Sequence, residues 1–128
     1  MRILLDTHTF LWYALDDASL SSTARQYILD AAYQKLISPA SYWEIAIKVG
    51  VGKLQLTRPY EAFINEGIQG SGFDVLPVLV KHTNVVASLP FHHRDPFDRL
   101  LVAQALAEDV PLLSNDAVLD QYGIRRIW

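Results

Sequence analysis

The sequence predicts an α/β fold with a mostly parallel sheet, and three observations support this prediction. Short apolar runs alternate along the chain with longer segments of helical period. The clearest helix, DPFDRLLVAQALAED, repeats Leu101, Ala105 and Leu106 on one face and has Pro96 near its start. Acidic or polar residues directly follow two of the apolar runs. Alternation of strands and helices favours a parallel sheet, and such sheets bind ligands at the carboxyl ends of their strands.

The first half of the chain divides into strands and helices by its apolar period and its capping residues. RILL is a predicted strand and THTFLWYALDD a predicted helix. The serines of SLSSTARQYILDAAYQ suit the start of a helix, and KLIS is a short predicted strand. In SPASYWEIAIKVGVGK, Ser38 stands where an N-cap belongs and Pro39 takes the first helical position. Gly50 and Gly52 mark the end of this helix.

The second half continues the alternation. RPYEAFINEGIQ is a predicted helix that GSG closes, FDVLPV a strand, and VKHTNVVASLP a short helix that Pro90 stops. After the clearest helix, PLLS is a predicted strand, NDAVLDQYG a short helix and IRRIW a terminal strand.

Composition narrows the class of protein. With 128 residues, of which 51% are hydrophobic, we expect one domain over residues 1–128 with an ordinary globular core. The formal net charge of -3 excludes a global basic attraction to nucleic acid but not a local basic rim around an acidic site. The absence of cysteine excludes thiolate metal sites and suits the cytoplasm. Neither a signal peptide nor a membrane span is visible, so we expect a soluble protein.

Four carboxylates stand at strand ends or in early helical turns. Asp6 follows the first strand, Glu44 and Asp98 lie near the starts of two helices, and Asp116 follows PLLS. If they converge at one edge of a parallel sheet, their mutual repulsion demands raised pKa values or a cation. Oxygen ligands without cysteine or paired histidines suit Mg²⁺ or Mn²⁺, which activate water for attack on a phosphoryl group.

Each acid also has a structural interpretation. Asp98 can complement the helix dipole, Asp116 can be a turn or N-cap residue, and Glu44 can lie on an exposed helix face. Asp95 is the preferred cap of the clearest helix. Asp6 is the hardest to explain in this way, because no local partner for its carboxylate is evident in the sequence.

Four segments together resemble PIN-domain proteins, and most closely VapC-type toxins of bacterial toxin–antitoxin pairs. They are LLDTHTFLW, SPASYWEIAIK, HHRDPFDRLLVAQALAEDVPLLSND and YGIRRIW. The resemblance runs from Met1 to Trp128. It implies a three-layer α/β/α sandwich and an acidic Mg²⁺ or Mn²⁺ site that cleaves RNA. The family's four acids fall on Asp6, Glu44, Asp98 and Asp116.

The resemblance also supplies supporting residues and partners. Ser114 matches the hydroxyl residue that usually precedes the last acid, and Thr7 matches the small polar residue after the first. Both are expected to hydrogen-bond carboxylates or water. A homodimer and a cognate antitoxin that covers the active site are implied by the family.

Two arginines are candidates for contact with substrate phosphates. Arg94 and Arg99 flank Asp98. For Arg99, a salt bridge or a solvated helix face is an equal alternative, and for Lys48 the alternative is an i,i+4 pair with Glu44. The neighbouring His92 and His93 allow a catalytic or metal-ligand interpretation, but as loop residues near Pro90 and Pro96 they are expected to be exposed and polar. His8 is expected to lie on a helix surface. Four aromatic residues can stack bases, namely Trp12, Tyr13, Tyr42 and Trp43, although packing in the core or an interface explains them better. Alternatively, Trp12 and Trp43 can line an antitoxin groove.

Two other classes of function stay open at this point. A phosphatase of the haloacid dehalogenase type also has an acid after a strand, but it needs a second Asp where this chain has His8. A non-catalytic binding module would use the acids only as caps and surface charges. Such a module predicts no metal site.

Overall fold

A five-stranded sheet, parallel throughout, forms the centre of the molecule. The computed structural model describes residues 1–128. The strands lie in the order β3-β2-β1-β4-β5. Their bounds are β1 Arg2–Leu5, β2 Gln34–Ile37, β3 Asp74–Val75, β4 Leu112–Leu113 and β5 Arg126–Ile127. Because β1 lies between β2 and β4, the carboxyl ends of these three strands meet at the middle of one edge.

Six α-helices and one 3₁₀ helix connect the strands. They are α1 Thr7–Ala14, α2 Ser22–Leu29, α3 Pro39–Gly50, α4 Tyr60–Gln69, α5 Val80–Ser88, α6 Pro96–Glu108 and the 3₁₀ helix Ala117–Tyr122. Two helices begin where the sequence predicts. Ser38 caps α3 ahead of Pro39, and Asp95 caps α6 ahead of Pro96.

Two apolar cores cover the two faces of the sheet, which gives three layers. Ile3 and Leu5 point into a core with residues of α1, α2 and α4, whereas Leu4 points into a core with α6 and the 3₁₀ helix. This alternation follows from the period of two in a strand. Helix α3 contributes Ala40 to one core and Ile45 to the other. The predicted α/β/α sandwich is therefore confirmed.

The structure corrects two details of the prediction. The predicted helix over residues 19–34 is too long, because α2 ends at Leu29 and Gln34 begins β2. Asp30 turns the chain, since its side chain accepts the backbone N–H of Ala32 and its carbonyl accepts that of Tyr33. The short helix after β4 is a 3₁₀ helix. No helix has the length and apolar character that a membrane crossing requires.

Candidate active site

Asp6 lies at the carboxyl end of β1 and is buried. Its N–H donates to the carbonyl of Leu113 on β4 at 3.1 Å, which fixes its backbone against the neighbouring strand. Its Oδ1 accepts the N–H of Thr9 at 2.8 Å, so Asp6 is the N-cap of α1. The carboxylate thus has the local partner that the sequence did not reveal. Burial raises the pKa of Asp6, while hydrogen bonds with Ser114 and Thr9 act against that rise.

Glu44 lies in the second turn of α3, and its side chain is only 8% exposed. One oxygen, Oε2, lies 3.2 Å from the Nζ of Lys48, one turn further along the helix. The i,i+4 pair considered from the sequence is therefore present. The other oxygen, Oε1, is buried without any hydrogen-bond partner. An unpartnered buried carboxylate oxygen is costly, so its position calls for a ligand.

Asp98 lies in the first turn of α6, where its N–H donates to the Asp95 carboxylate at 3.2 Å. The pKa of Asp98 is raised to about 7, first by burial and then by the charges of Asp95, Asp6 and Glu44. A hydrogen bond with His93 acts in the opposite direction. This repulsion shows that Asp6 and Glu44 both lie within electrostatic range of Asp98.

Asp116 completes the group from the loop after β4. Its N–H donates to the Ser114 Oγ at 3.1 Å, and its Oδ1 accepts the N–H of Val118, so it also caps the 3₁₀ helix. Ligand atoms of His93, Asp98 and Asp116 all lie within 4.8 Å of one another. The fold thus brings together four carboxylates that are distant in the sequence.

The two hydroxyl residues predicted beside the acids are both buried. Ser114 hydrogen-bonds the Asp6 side chain and accepts the N–H of Asp116, so it links two of the acids. The Oγ1 of Thr7 instead donates to the Oγ of Ser41 at 3.1 Å. Thr7 therefore connects the start of α1 to α3, the helix that carries Glu44.

These donors suit a hard divalent cation. The cluster contains carboxylate oxygens, one of them unpartnered and buried. Burial and the neighbouring negative charges raise the pKa of Asp98 to about 7. Oxygen-rich sites of this kind favour Mg²⁺ or Mn²⁺. The residues that could hold the ion are Asp6, Glu44, Asp98 and Asp116.

Comparison with known proteins identifies the family. Residues 3–124 match the family described as PIN domain. The chain belongs to the PIN domain family. A comparison with curated proteins found no match.

Solved structures agree with this PIN domain in fold over nearly the whole chain. VapBC2 from Rickettsia felis, in a structure with a DNA fragment from its promoter, has a TM-score of 0.74 at 16% identity. The match covers 99% of this chain and 98% of the other chain. VapBC-1 from nontypeable Haemophilus influenzae has a TM-score of 0.70 at 16% identity, and the match covers 99% of this chain and 97% of the other chain. FitAcB from Neisseria gonorrhoeae has a TM-score of 0.70 at 16% identity, and the match covers 98% of this chain and 96% of the other chain.

Arg99 of the PIN domain is buried inside the protein. Its guanidinium donates to the carbonyls of Leu89 and Pro90 and to the hydroxyl of Tyr122, and it lies 3.9 Å from the ring centre of Phe91. The side chain has no carboxylate partner and no solvated face. This placement favours a structural role over contact with substrate phosphates, because the donors already hold the loop before α6.

Arg94, by contrast, is exposed and lines a groove beside the acids. The groove has a volume of about 450 Å³, and Lys48 and Lys53 also line it. Next to it, Trp43 is 60% exposed and packs edge-to-face on Phe97 at 5.2 Å. The PIN domain therefore offers cationic and aromatic side chains on one side of its acidic cluster.

His93 is the residue of this region for which the sequence allowed a catalytic or metal-ligand role but favoured an exposed position. His8 and His92 are exposed, as expected, but the Nε2 of His93 lies 3.2 Å from the Oδ2 of Asp98. Its loop between two prolines resembled ordinary exposed chain. The only signal was its position five residues before Asp98, in a segment too short to move far from that acid.

Proposed function

We propose that this PIN domain, over residues 1–128, is a divalent-cation-dependent endoribonuclease and the toxin of a type II toxin–antitoxin pair. The observation that carries the proposal is the grouping of Asp6, Glu44, Asp98 and Asp116 at the carboxyl edge of the sheet. Ligand atoms of Asp98 and Asp116 lie within 4.8 Å of each other. Burial, followed by the charges of Asp95, Asp6 and Glu44, raises the pKa of Asp98 to about 7. A site with so much uncompensated negative charge is poorly suited to bind an anionic substrate unless a cation is present.

In this proposal the acids hold Mg²⁺ or Mn²⁺, directly or through water. A bound cation supplies Lewis acidity, which lowers the pKa of water and offsets charge on the phosphoryl group. The protein supplies rigidity. β1 and the α1 cap fix Asp6, Ser114 ties Asp6 to Asp116, and the cap by Asp95 fixes the turn that carries Asp98.

The groove beside the acids, which Lys48, Lys53 and Arg94 line, is proposed to bind the substrate strand. Arg94 and Lys53 are exposed at the groove, where their charges can contact phosphates next to the one that is cut. Exposed Trp43 offers a face on which a base can stack. Arg99 is left out of this surface because its donors are used inside the protein.

A cognate antitoxin is the proposed partner. The similar structures are complexes described as VapBC and FitAcB, which supports a partner protein for this chain. Apolar side chains beside the acids, namely Trp43, Ile47 and Val51, are exposed and provide a surface that such a partner would cover. A homodimer and a cytoplasmic location belong to the same proposal.

The test is RNA cleavage by the purified protein, with Mn²⁺ or Mg²⁺ and with chelator. We expect cleavage only with the cation, and loss of at least about a hundredfold in Asp6→Asn and Asp98→Asn, since each removes a carboxylate charge from the site. Asp16→Asn is the matched control, because Asp16 is exposed and its backbone φ of 53° suits Asn.

Two results would decide against the proposal. Full activity in Asp6→Asn would show that the acids are not the catalytic group. A protein that folds, binds its partner and cleaves no RNA with either cation would favour the non-catalytic binding module. Mapping cleavage with and without the product of the adjacent gene then tests whether that product is the antitoxin.

A further inference from the structure

The loop before α6 presents an imidazole to the acidic cluster. The Nε2 of His93 lies 3.2 Å from the Oδ2 of Asp98, and both side chains lie within 4.8 Å of a carboxylate oxygen of Asp116. The other ring nitrogen, Nδ1, is buried and has no partner, so Nε2 is the nitrogen that faces the acids. The three side chains are half-buried, which leaves the cluster open to an ion from solvent.

The position of this imidazole is built into the fold. The Tyr122 hydroxyl accepts the N–H of His93 at 3.1 Å and donates to the carbonyl of the same residue at 3.4 Å. Arg99 donates to the same hydroxyl at 3.2 Å, and it holds Leu89 and Pro90 as well. The buried side chains of Arg99 and Tyr122 thus fix the backbone of His93. This role accounts for the burial of Arg99 without a carboxylate partner.

The hydrogen bond between His93 and Asp98 also sets their two atoms at a distance that lets both bind one ion. Two ligands at right angles, each about 2.1 Å from an octahedral cation, lie about 3 Å apart. The Nε2 of His93 and the Oδ2 of Asp98 have this separation. Close by, Glu44 is buried with Oε1 unpartnered, an independent sign that the cluster is arranged for a ligand.

We propose that His93 is a nitrogen ligand of the site, which together with Asp98 and Asp116 binds Mn²⁺ or a later divalent transition metal in preference to Mg²⁺. The proposal rests on the proposed cation site and adds the class of cation that it selects. Imidazole binds transition metals well, whereas Mg²⁺ prefers oxygen ligands. A site of carboxylates alone would lack this preference.

The experiment uses Mn²⁺ alone as the probe, with pulsed electron paramagnetic resonance of the full chain. We expect ¹⁴N modulation from a directly bound imidazole in the unmutated protein. We also expect its loss in His93→Gln and its retention in the matched control His92→Gln, since His92 is the exposed neighbour. Mn²⁺ affinity should fall about tenfold or more in His93→Gln, and Mg²⁺ affinity should fall less.

A second measurement covers the case in which His93→Gln does not fold. Labelling the unmutated protein with ¹⁵N-histidine should replace the ¹⁴N signal. Persistence of that signal would mean that another nitrogen binds the ion. Mn²⁺ bound without nitrogen modulation in the unmutated protein overturns the role of His93 and leaves the carboxylate site intact. Absence of Mn²⁺ binding in the unmutated protein overturns the proposed function itself.

Discussion

Asp98 is the residue whose ionisation links the site to the stability of the protein. In the folded chain its pKa is about 7, against an ordinary value of 3.8. Ionising it therefore costs more free energy in the folded state than in the unfolded state. The ionisation of Asp98 therefore lowers the free energy of unfolding of the metal-free protein as pH rises from about 4 to about 7. Above about pH 7 this contribution changes no further.

Asp98→Asn should therefore stabilise the metal-free protein at pH 8, because it removes a charge that burial and three other carboxylates oppose. We expect a gain on the order of 1–3 kcal/mol in the free energy of unfolding, and a much smaller gain at pH 4. Urea unfolding in chelator measures both values, with Asp16→Asn as the control. A variant less stable than the unmutated protein at pH 8 would contradict the repulsion described for the site.

At the scale of elements, helix N-termini and strand ends place the acids. Asp6 caps α1, Asp95 caps α6 and Asp116 caps the 3₁₀ helix, so several acids have the structural role that the sequence also permits. The two roles are compatible. One carboxylate oxygen can accept backbone N–H groups and fix the side chain, while the other oxygen stays available to a ligand.

Asp95 allows the cap and the charge at the start of α6 to be separated. Asp95→Asn keeps a good N-cap but removes the charge that, after burial, raises the pKa of Asp98 most, so that pKa should fall towards its ordinary value. Asp95→Ala should lower that pKa as well and also cost about 1 kcal/mol of stability through the lost cap. Carboxyl ¹³C chemical shifts measure the pKa of Asp98. An unchanged value in Asp95→Asn would contradict the electrostatic account.

The sequence was sufficient for the elements whose signals are local. The Ser38–Pro39 and Asp95–Pro96 pairs mark helix starts, and the apolar run of β1 marks a strand. The end of α2 was missed because a side-chain turn at Asp30 overrides helical period there. The 3₁₀ form of the last helix has no clear sequence signal, since its caps resemble those of an α-helix.

At the scale of the whole molecule, the parallel sheet brings distant residues together. The middle position of β1 places Asp6 beside the loop after β4, and α3 and α6 pack together near the same edge. That the acids follow strands or begin helices could be read from the sequence. The burial of Arg99 and the approach of His93 could not, because both depend on tertiary contacts with Tyr122 and with the loop before α6.

In the proposed function, Asp6, Glu44, Asp98 and Asp116 form one cation site. The most direct test of this claim is the thermal shift that Mn²⁺ causes in the unmutated protein, in Asp6→Asn and in Asp98→Asn at pH 8. At a Mn²⁺ concentration of about a hundred times its dissociation constant, we expect the free energy of unfolding of the unmutated protein to rise by about 2.7 kcal/mol. This corresponds to a rise of roughly 10 °C in its melting temperature. Neither variant should show this shift, whereas the Asp16→Asn control should. An equal shift in the unmutated protein and in both variants, or no shift in any of them, would contradict the account.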